Sequence, residues 1–480
     1  MGANQTVRMP RLAQRLSLQI IVVLLILLTA CASKTSTTST QPSGTTTPLS
    51  PVTSQQVQTV IRTVLQNIKD NGFDSQANGG QGGLWIDWRY GTNPLDANGG
   101  KCSVSNGAPT CQGTFGHDRL TDLRYIHNLW WYEKENPSDT QFASEIQRYT
   151  PIIKQEWSAC TDDRGWIYDE WMDIYSLSQD SFYKQCAQTI ANYYFTQWYH
   201  PENGALYQTS STNPTGAFRT EDAIGMGAAL IEAGAYFGQP QWSSAGKTAL
   251  SYLRSHTYLP QYHVYLHSMD NVVLPDGTLN PDPSIFKTDN SDSAGSDSSS
   301  SGGGSSAAQR NGANVKAGSM GSEAFALLRA YQASQDTEYL NEAVDLLNQL
   351  SPTTNPLGLW DSQYGGYFYA ILFDGSDYKN PGKPTVRTGQ KEAGRQLQVL
   401  RAVHLANVLA HGQLQNMETT LLEIAVERAY YVDGHGYLYS VDPDWTPHLR
   451  HGNNKTYVTT EAMGIALESL LSVEGGSAEP

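Results

Sequence analysis

The chain has 480 residues, and its 46 Asp and Glu against 31 Lys and Arg give a formal net charge of -15 at pH 7. This acidic balance argues against binding nucleic acid or an anionic membrane through a basic face, and it leaves a neutral substrate open. The chain also carries 11 Trp and 27 Tyr with only 16% charged residues. Such rings either fill a core or stack on ligands in a cleft, and we expect both uses here.

The N-terminal residues 1–30 are organised like a bacterial export signal. Three Arg and no acid lie between Val7 and Arg15, and an almost purely apolar run follows from Leu16 to Leu28. The sequence Leu28-Thr29-Ala30-Cys31 resembles a bacterial lipobox, which implies diacylation of Cys31 and removal of the residues before it. An ordinary signal peptide with an incidental Cys is the alternative. We therefore predict an extracytoplasmic protein held to a bacterial membrane only by a lipid on Cys31.

Composition divides the rest of the chain into a tether, a folded domain and a tail. Residues 31–54 are nearly all Ser, Thr, Pro and Gln, which predicts a flexible tether. Residues 55–473 are predicted to form one domain, and residues 474–480 a short tail. Residues 288–309 are rich in Asp, Ser and Gly, which predicts a disordered insertion in one loop of the domain.

Besides Cys31, the chain has an even number of cysteines, as expected in a compartment where disulfides form. The favoured pairing is Cys102 with Cys111, which closes a small Gly-rich loop, and Cys160 with Cys186, which joins two neighbouring helices. The sequence alone allows three connectivities.

Apolar residues recur at spacings of three and four in about a dozen segments, which predicts helices paired into about six hairpins. The phrase Ser178-Gln179-Asp180 returns as Ser334-Gln335-Asp336, each time between two such segments, and is typical of a hairpin turn. We expect Asp180 and Asp336 to cap outer helices. The predicted helices span 57–68, 117–133, 141–157, 171–177, 182–198, 220–236, 243–255, 322–333, 339–350, 391–410, 417–430 and 460–471.

A second repeated element, Gly followed by aromatic and β-branched residues, predicts a short strand at the rim of each hairpin. It occurs at 82–86, 165–168, 204–207, 365–369 and 436–439, and in a weaker form at 264–267.

Four predicted helices begin with acids followed by small residues. These acids are Glu221 with Asp222, Glu323, Glu392 and Glu461, and His117-Asp118 is a related pair earlier in the chain. An acid in a first turn complements the helix dipole, so any one of them is explained most simply as a structural cap. If six inner helices point their N-termini at one rim, however, the acids gather around one cavity.

These features together resemble the six-hairpin (α/α)6 toroid superfamily of glycoside hydrolases and sugar epimerases. The resemblance implies an all-α toroid over most of residues 55–473, with short β segments at its rim. The segment 360–368, followed by Lys391-Glu392 and Gln396, is similar to a stretch of the N-acylglucosamine 2-epimerase-like group, whose catalytic His pattern has no match here. The adjacent Asp162 and Asp163 are similar to the paired aspartates of α-1,6-mannanases, although their surrounding sequence differs.

Hydrolysis of a glycosidic bond requires two carboxyl groups with separated pKa values, and clustering of acids helps to separate them. We predict Glu221 or Asp222 as one catalytic carboxyl and Glu392 as the other. The residues predicted to bind substrate, some of which also compete for the catalytic roles, are Trp85, Asp87, Trp88, His117, Asp118, Trp171, Glu323, Tyr364 and Glu461.

The predicted activity is hydrolysis of glycosidic bonds in an extracellular poly- or oligosaccharide by a monomer. A non-catalytic carbohydrate-binding toroid and a sugar epimerase or lyase are the alternatives. No cofactor or metal is expected, because the chain has no His-Glu-x-x-His, Cys-x-x-Cys or phosphate-binding Gly loop, and its histidines are scattered.

Overall fold

Helices alternate along the chain between an outer and an inner position. The computed structural model describes residues 51–88, 103–105, 108–110, 117–206, 220–266, 314–372, 385–448 and 457–475. Within these ranges the outer helices are α1 (Ser54–Asn67), α3 (Ala143–Glu156), α5 (Ser181–Tyr193), α7 (Pro240–Thr257), α9 (Thr337–Gln349) and α11 (Gln415–Ile424). The inner helices are α2 (Arg119–Glu135), α4 (Ile167–Ser178), α6 (Thr220–Tyr236), α8 (Ala317–Ser334), α10 (Gln398–Leu409) and α12 (Thr460–Glu474).

The inner helices close into a ring. Each packs against the inner helices before and after it, and α12 returns to pack against α2. Inner helices such as α6 are buried on nearly every face, as their Ala- and Gly-rich sequences allow, whereas outer helices bury one apolar face. The predicted (α/α)6 toroid is therefore confirmed.

The repeated phrase forms the turns from α4 to α5 and from α8 to α9. Gln179 and Gln335 end the inner helices with φ values of 57° and 59°, and Asp180 and Asp336 then accept hydrogen bonds from the second backbone N–H beyond them. The prediction that both aspartates cap outer helices is confirmed.

The strands lie in connections that run from an outer helix to the next inner helix, so they mark the end of the ring where the inner helices begin. Their pairs are antiparallel. They are β1 (Phe73–Asp74) with β2 (Gly83–Leu84), β3 (Asp87–Trp88) with β17 (Val458–Thr459), β4 (Ser103–Ser105) with β5 (Ala108–Thr110), β6 (Tyr199–His200) with β7 (Ala205–Leu206), β8 (Tyr258–Leu259) with β9 (Val264–Tyr265), β10 (Asn314–Lys316) with β11 (Ala370–Leu372) and β12 (Thr385–Arg387), β13 (Lys391–Glu392) with β16 (Ser440–Val441), and β14 (Tyr430–Tyr431) with β15 (Gly436–Tyr437).

Three local predictions were wrong. Residues 165–168 are not a rim strand but lead into α4, which begins at Ile167. Residues 365–369 follow a turn and form no strand, and Tyr367 makes only a single bridge with Trp360. The predicted helix 391–410 is instead strand β13, a 3-10 turn at Arg395–Leu397 and then α10.

One predicted disulfide is present, between Cys160 and Cys186. It joins the segment that follows α3 to α5. The other pair, Cys102 and Cys111, lies outside the described residues, as do the export signal, Cys31, the insertion 288–309 and residues 476–480. None of the described helices is both long and apolar enough to cross a membrane.

Two carboxyl groups, Asp122 on α2 and Glu156 on α3, lie close to each other in a largely buried place between these helices. Asp122 also accepts a hydrogen bond from the Leu84 backbone N–H at 2.9 Å. Burial, and then the nearby Glu156 carboxylate, raise the pKa of Asp122 well above its usual range. Burial also raises the pKa of Glu156 to about 7. Above the usual pKa of a carboxyl group, the folded chain therefore still binds protons on this pair that the unfolded chain has released.

We expect Glu156→Gln to change how stability depends on pH. The proton on Glu156 stabilises the folded chain fully below its unfolded pKa of about 4.5, and this stabilisation is lost as pH rises through about 7. Gln resembles the protonated acid at every pH, so the melting temperature of the variant should rise relative to wild type between about pH 5 and pH 8. A difference that stays constant over this range would contradict the assignment.

Candidate active site

A cavity of about 170 Å³ opens where the inner helices begin. All six inner helices, or the residues that lead into them, contribute side chains to its wall. The charged lining residues are Asp118, Arg124, Arg164, Asp169, Glu170, Glu221, Asp222, Arg395, Arg401, Glu461 and Glu468, and the aromatic ones are Trp166, Phe325 and Tyr439. The ring thus gathers acids around one cavity, as the repeated helix starts suggested.

The outer part of the wall carries four acids at helix N-termini. Asp118 caps α2, Glu221 and Asp222 lie in the first turn of α6, and Glu461 lies in the first turn of α12. Glu221 accepts a hydrogen bond from Nη2 of Arg395 at 2.7 Å. Asp222 accepts one from the Gly165 backbone N–H at 3.1 Å. Glu221 and Asp222 are thus held by neighbouring elements as well as by the dipole of α6.

A close approach of two glycines shapes one side of the wall. A Cβ atom on Gly165 would lie 2.1 Å from the carbonyl oxygen of Asp222 and 2.8 Å from Cα of Gly225, so only Gly lets the segment before α4 rest on α6. This contact brings the neighbours of Gly165, Arg164 and Trp166, to the cavity wall.

The floor of the cavity is a network of ion pairs between inner helices. Nε of Arg124 on α2 lies 2.6 Å from Oε1 of Glu468 on α12. The guanidinium of Arg401 on α10 lies 3.2 Å from Oε2 of Glu468 and 3.2 Å from Oδ2 of Asp173 on α4. The Arg124 guanidinium also covers the Trp166 ring at 4.1 Å. Charges buried in this way are stable only when paired, and here the pairing links the helices across the ring.

Two adjacent lining acids on α4 have pKa values shifted in opposite directions. Burial raises the pKa of Asp169 well above its usual range, although Arg329 opposes the shift. Glu170 is also buried, which disfavours its ionisation, but His127 and then Arg124 outweigh burial and lower its pKa to about 2. Of the two acids, Asp169 therefore keeps its proton to the higher pH, and Glu170 is the one that ionises first.

Among the described residues, the ligand atoms of His127, Glu170 and Glu468 lie within 4.8 Å of one another, a spacing that a metal ion could use. The guanidinium groups of Arg124 and Arg401 already pair with Glu468, and that of Arg124 lies 3.8 Å from Glu170. Two fixed cations at this position would repel a divalent ion, so the donor set fits ion pairs better than a metal centre.

The ring of inner helices brings Asp118, Glu221, Asp222 and Glu461 to the cavity wall. Two other predicted acids, Glu323 and Glu392, do not line it. Glu323 lies in the second turn of α8 and is 1% exposed; burial, and then Glu221, raise its pKa well above the usual range. Glu392 is buried in β13, paired with Ser440, because the segment before α10 is not helical. Neither carboxyl is in a position to reach a substrate in the cavity.

The predicted aromatic contacts also lie elsewhere. Trp171 is fully buried, with its ring 5.1 Å from that of Trp157. Trp88 is also buried and donates from Nε1 to Asn67, and Asp87 beside it on β3 is 1% exposed. Trp85 is buried against His117, and Nε2 of His117 lies 3.1 Å from Asp74. Tyr364 is 40% exposed and lies outside the cavity wall. Most of these side chains are buried in the core, and β3 is covered on both faces.

Comparison with known proteins gives likenesses of structure. No protein-family model matches the chain, and no curated protein sequence matches it significantly. An unsaturated glucuronyl hydrolase specific for heparin is 12% identical with a TM-score of 0.56, covering 87% of this chain and 95% of its own. An inactive α-1,6-mannanase variant of Salegentibacter sp. HEL1_6, bound to α-1,6-mannotetrose, is 10% identical with a TM-score of 0.55. The match covers 87% of this chain and 98% of the mannanase. A D-mannose isomerase is 12% identical with a TM-score of 0.53, and the match covers 87% of this chain and 97% of the isomerase. At these identities the likeness establishes the fold alone, an (α/α)6 toroid.

Proposed function

We propose that the chain hydrolyses glycosidic bonds, with Asp169 as the proton donor and Glu170 as the base or nucleophile. The observation that carries the proposal is their shared place on the cavity wall with oppositely shifted pKa values. Asp169 would give its proton to the leaving glycosidic oxygen. Glu170 would activate the attacking water or attack the anomeric carbon itself. Trp166 and Tyr439 offer aromatic faces for the sugar.

The structural neighbours support this reaction class. Two of them are named as hydrolases of glycosides, and two adjacent aspartates are replaced in the inactive mannanase variant. In this chain the adjacent acids that line the cavity are Asp169 and Glu170. The pair suggested by the sequence, Asp162 and Asp163, is less suitable, because Asp162 is bound to Arg119 at 2.7 Å and neither residue lines the cavity.

Asp222 is the main competitor for the role of base, since it lines the cavity in the first turn of α6. Glu221 beside it is a weaker candidate, because Arg395 is bound to its carboxylate. Glu392 is no longer proposed as a catalytic residue, since it is buried in β13.

The test is incubation of residues 32–480 with α-1,6-manno-oligosaccharides, unsaturated glucuronyl oligosaccharides and a panel of neutral polysaccharides, followed by measurement of released reducing sugar. The proposal expects release that Asp169→Asn and Glu170→Gln both abolish. Binding of an oligosaccharide without release would instead support a carbohydrate-binding toroid. Conversion of a free sugar to an isomer without hydrolysis would support an epimerase or isomerase.

We also propose that the protein is exported and anchored through a lipid on Cys31, with residues 32–54 as the tether. The basic and apolar segments before Cys31 support this, and so does the Cys160–Cys186 disulfide, which is typical of a compartment outside the cytoplasm. In a bacterial host fed labelled palmitate, the wild-type chain should carry label in the membrane fraction and Cys31→Ala should not. Equal labelling of both chains would contradict the anchor.

A further inference from the structure

His127 is a fully buried histidine that connects α2 to α4 beneath the cavity. Its Nδ1 lies 2.6 Å from Oε2 of Glu170, and its Nε2 lies 3.5 Å from Oδ2 of Asp173. A neutral imidazole has one N–H donor and one acceptor nitrogen, so it would direct a lone pair at one of these carboxylates. Only the imidazolium form can present N–H groups to both.

The charges around His127 lead to the same protonation state. The acids facing it are Glu170 and Asp173 from α4 and Glu468 from α12, and the cations are Arg124 from α2 and Arg401 from α10. Arg329 from α8 also approaches Asp173, at 3.5 Å, but its guanidinium is bound more closely to Glu232, at 2.8 Å. Three buried carboxylates therefore face two guanidinium groups, and a protonated His127 makes the group neutral, as burial requires.

The balancing proton does not belong on Glu468. Its Oε1 faces Nε of Arg124 and its Oε2 faces Nη1 of Arg401, so both oxygens lie against donors. Burial raises the pKa of Glu468, but Arg124 and Arg401 oppose this shift, and a proton on Glu468 would weaken both ion pairs. His127, whose two nitrogens both face carboxylates, is the place where the proton finds acceptors.

We infer that His127 is a positioning residue, protonated at neutral pH, that holds Glu170 as an ionised carboxylate in the cavity wall. It does not touch substrate, because its ring is fully buried. It acts through Glu170, whose Oε2 it binds while the same carboxylate lines the cavity. The role in catalysis rests on the proposed function, whereas the protonation state does not.

The protonation state is tested on the wild-type chain by nitrogen NMR of ¹⁵N-labelled histidine. We expect one buried imidazole to keep the imidazolium signature for both nitrogens at a pH where the exposed histidines have already become neutral. Glu170→Gln should bring its titration back toward the ordinary range. If every histidine of the wild type becomes neutral over the same pH range as the exposed ones, the inference is wrong, whether or not any variant folds.

The positioning role is tested with His127→Gln, and His404→Gln is a matched control. His404 is also a buried histidine beside a carboxylate, 3.2 Å from Glu418, but that pair does not line the cavity. On the panel substrate that wild type cleaves fastest, His127→Gln should lower kcat by about tenfold or more with little change in KM, and should move the acidic limb of the pH profile upward, because Glu170 loses its cation. His404→Gln should leave both unchanged.

The outcomes separate the two hypotheses. A wild type that cleaves nothing on the panel overturns the proposed function, and the NMR titration still decides the state of His127. A folded His127→Gln variant with wild-type kcat and an unshifted pH profile overturns the positioning role while the hydrolase proposal stands.

Discussion

Asp169→Asn should lower the hydrolysis of unactivated oligosaccharides by about 10²- to 10⁴-fold, because the departing oxygen then receives no proton. Asn keeps the size of the side chain and the contacts of α4, so the melting temperature should change little. On a 2,4-dinitrophenyl glycoside of the same sugar, whose leaving group needs no proton, the loss should be less than about tenfold. The measurement is kcat/KM on both substrates for wild type and variant.

The pH dependence follows from the same role. A general acid is active only while protonated, so kcat/KM should fall as pH rises through the pKa of Asp169, which burial raises above the usual range of a carboxyl group. In Asp169→Asn this basic limb should disappear. Equal losses on activated and unactivated substrates would show that Asp169 is not the proton donor.

Arg401→Met should destabilise the folded chain by about 3–5 kcal/mol, because it removes one of the cations that compensate two buried acids. Arg401 is 8% exposed and joins Asp173 on α4 to Glu468 on α12. Met fills a similar volume, so the loss measures mainly the uncompensated charges rather than a cavity. The free energy of unfolding is obtained from urea denaturation followed by circular dichroism.

The matched control is Arg62→Met. Arg62 also pairs with an acid, Asp139 at 2.9 Å, but its side chain is 54% exposed. An ion pair in water contributes about 0–1 kcal/mol, so this variant should stay close to wild type. Similar losses for both arginines, or a loss below about 1 kcal/mol for Arg401→Met, would contradict a floor held together by buried charge.

The sequence predicted the helical ring because its signals are local. Helix α6 was predicted with the bounds it has, Thr220–Tyr236, since small and apolar residues fill its length from Ala223 onward except at Glu232. The prediction for 391–410 was wrong because contacts distant in sequence override periodicity there. Lys391 is bound to Asp361, to the Gly365 carbonyl and to the Pro443 carbonyl, and Gly394 rests on Ala462.

The candidate site was predicted only in part, for a related reason. Acids at helix starts, such as Asp118, Glu221 and Asp222, carry a local pattern, and the structure does bring them to the cavity. The floor joins residues that are far apart in sequence, so no spacing reveals it. One signal was present: Arg401 and Glu468 are single charges within otherwise apolar inner-helix segments. A charge in a helix buried on all faces requires a partner, and matching such charges between inner helices would have indicated the network.

The central claim is that Glu170 is the carboxylate that acts on the anomeric carbon or its water, and azide rescue tests it most directly. Glu170→Ala, Asp222→Ala and Glu221→Ala would be assayed on the activated glycoside with and without sodium azide. A small anion can occupy the space of the missing carboxylate, so azide should restore turnover and yield a glycosyl azide with Glu170→Ala alone. Rescue of Asp222→Ala or Glu221→Ala, with none for Glu170→Ala, would contradict the account.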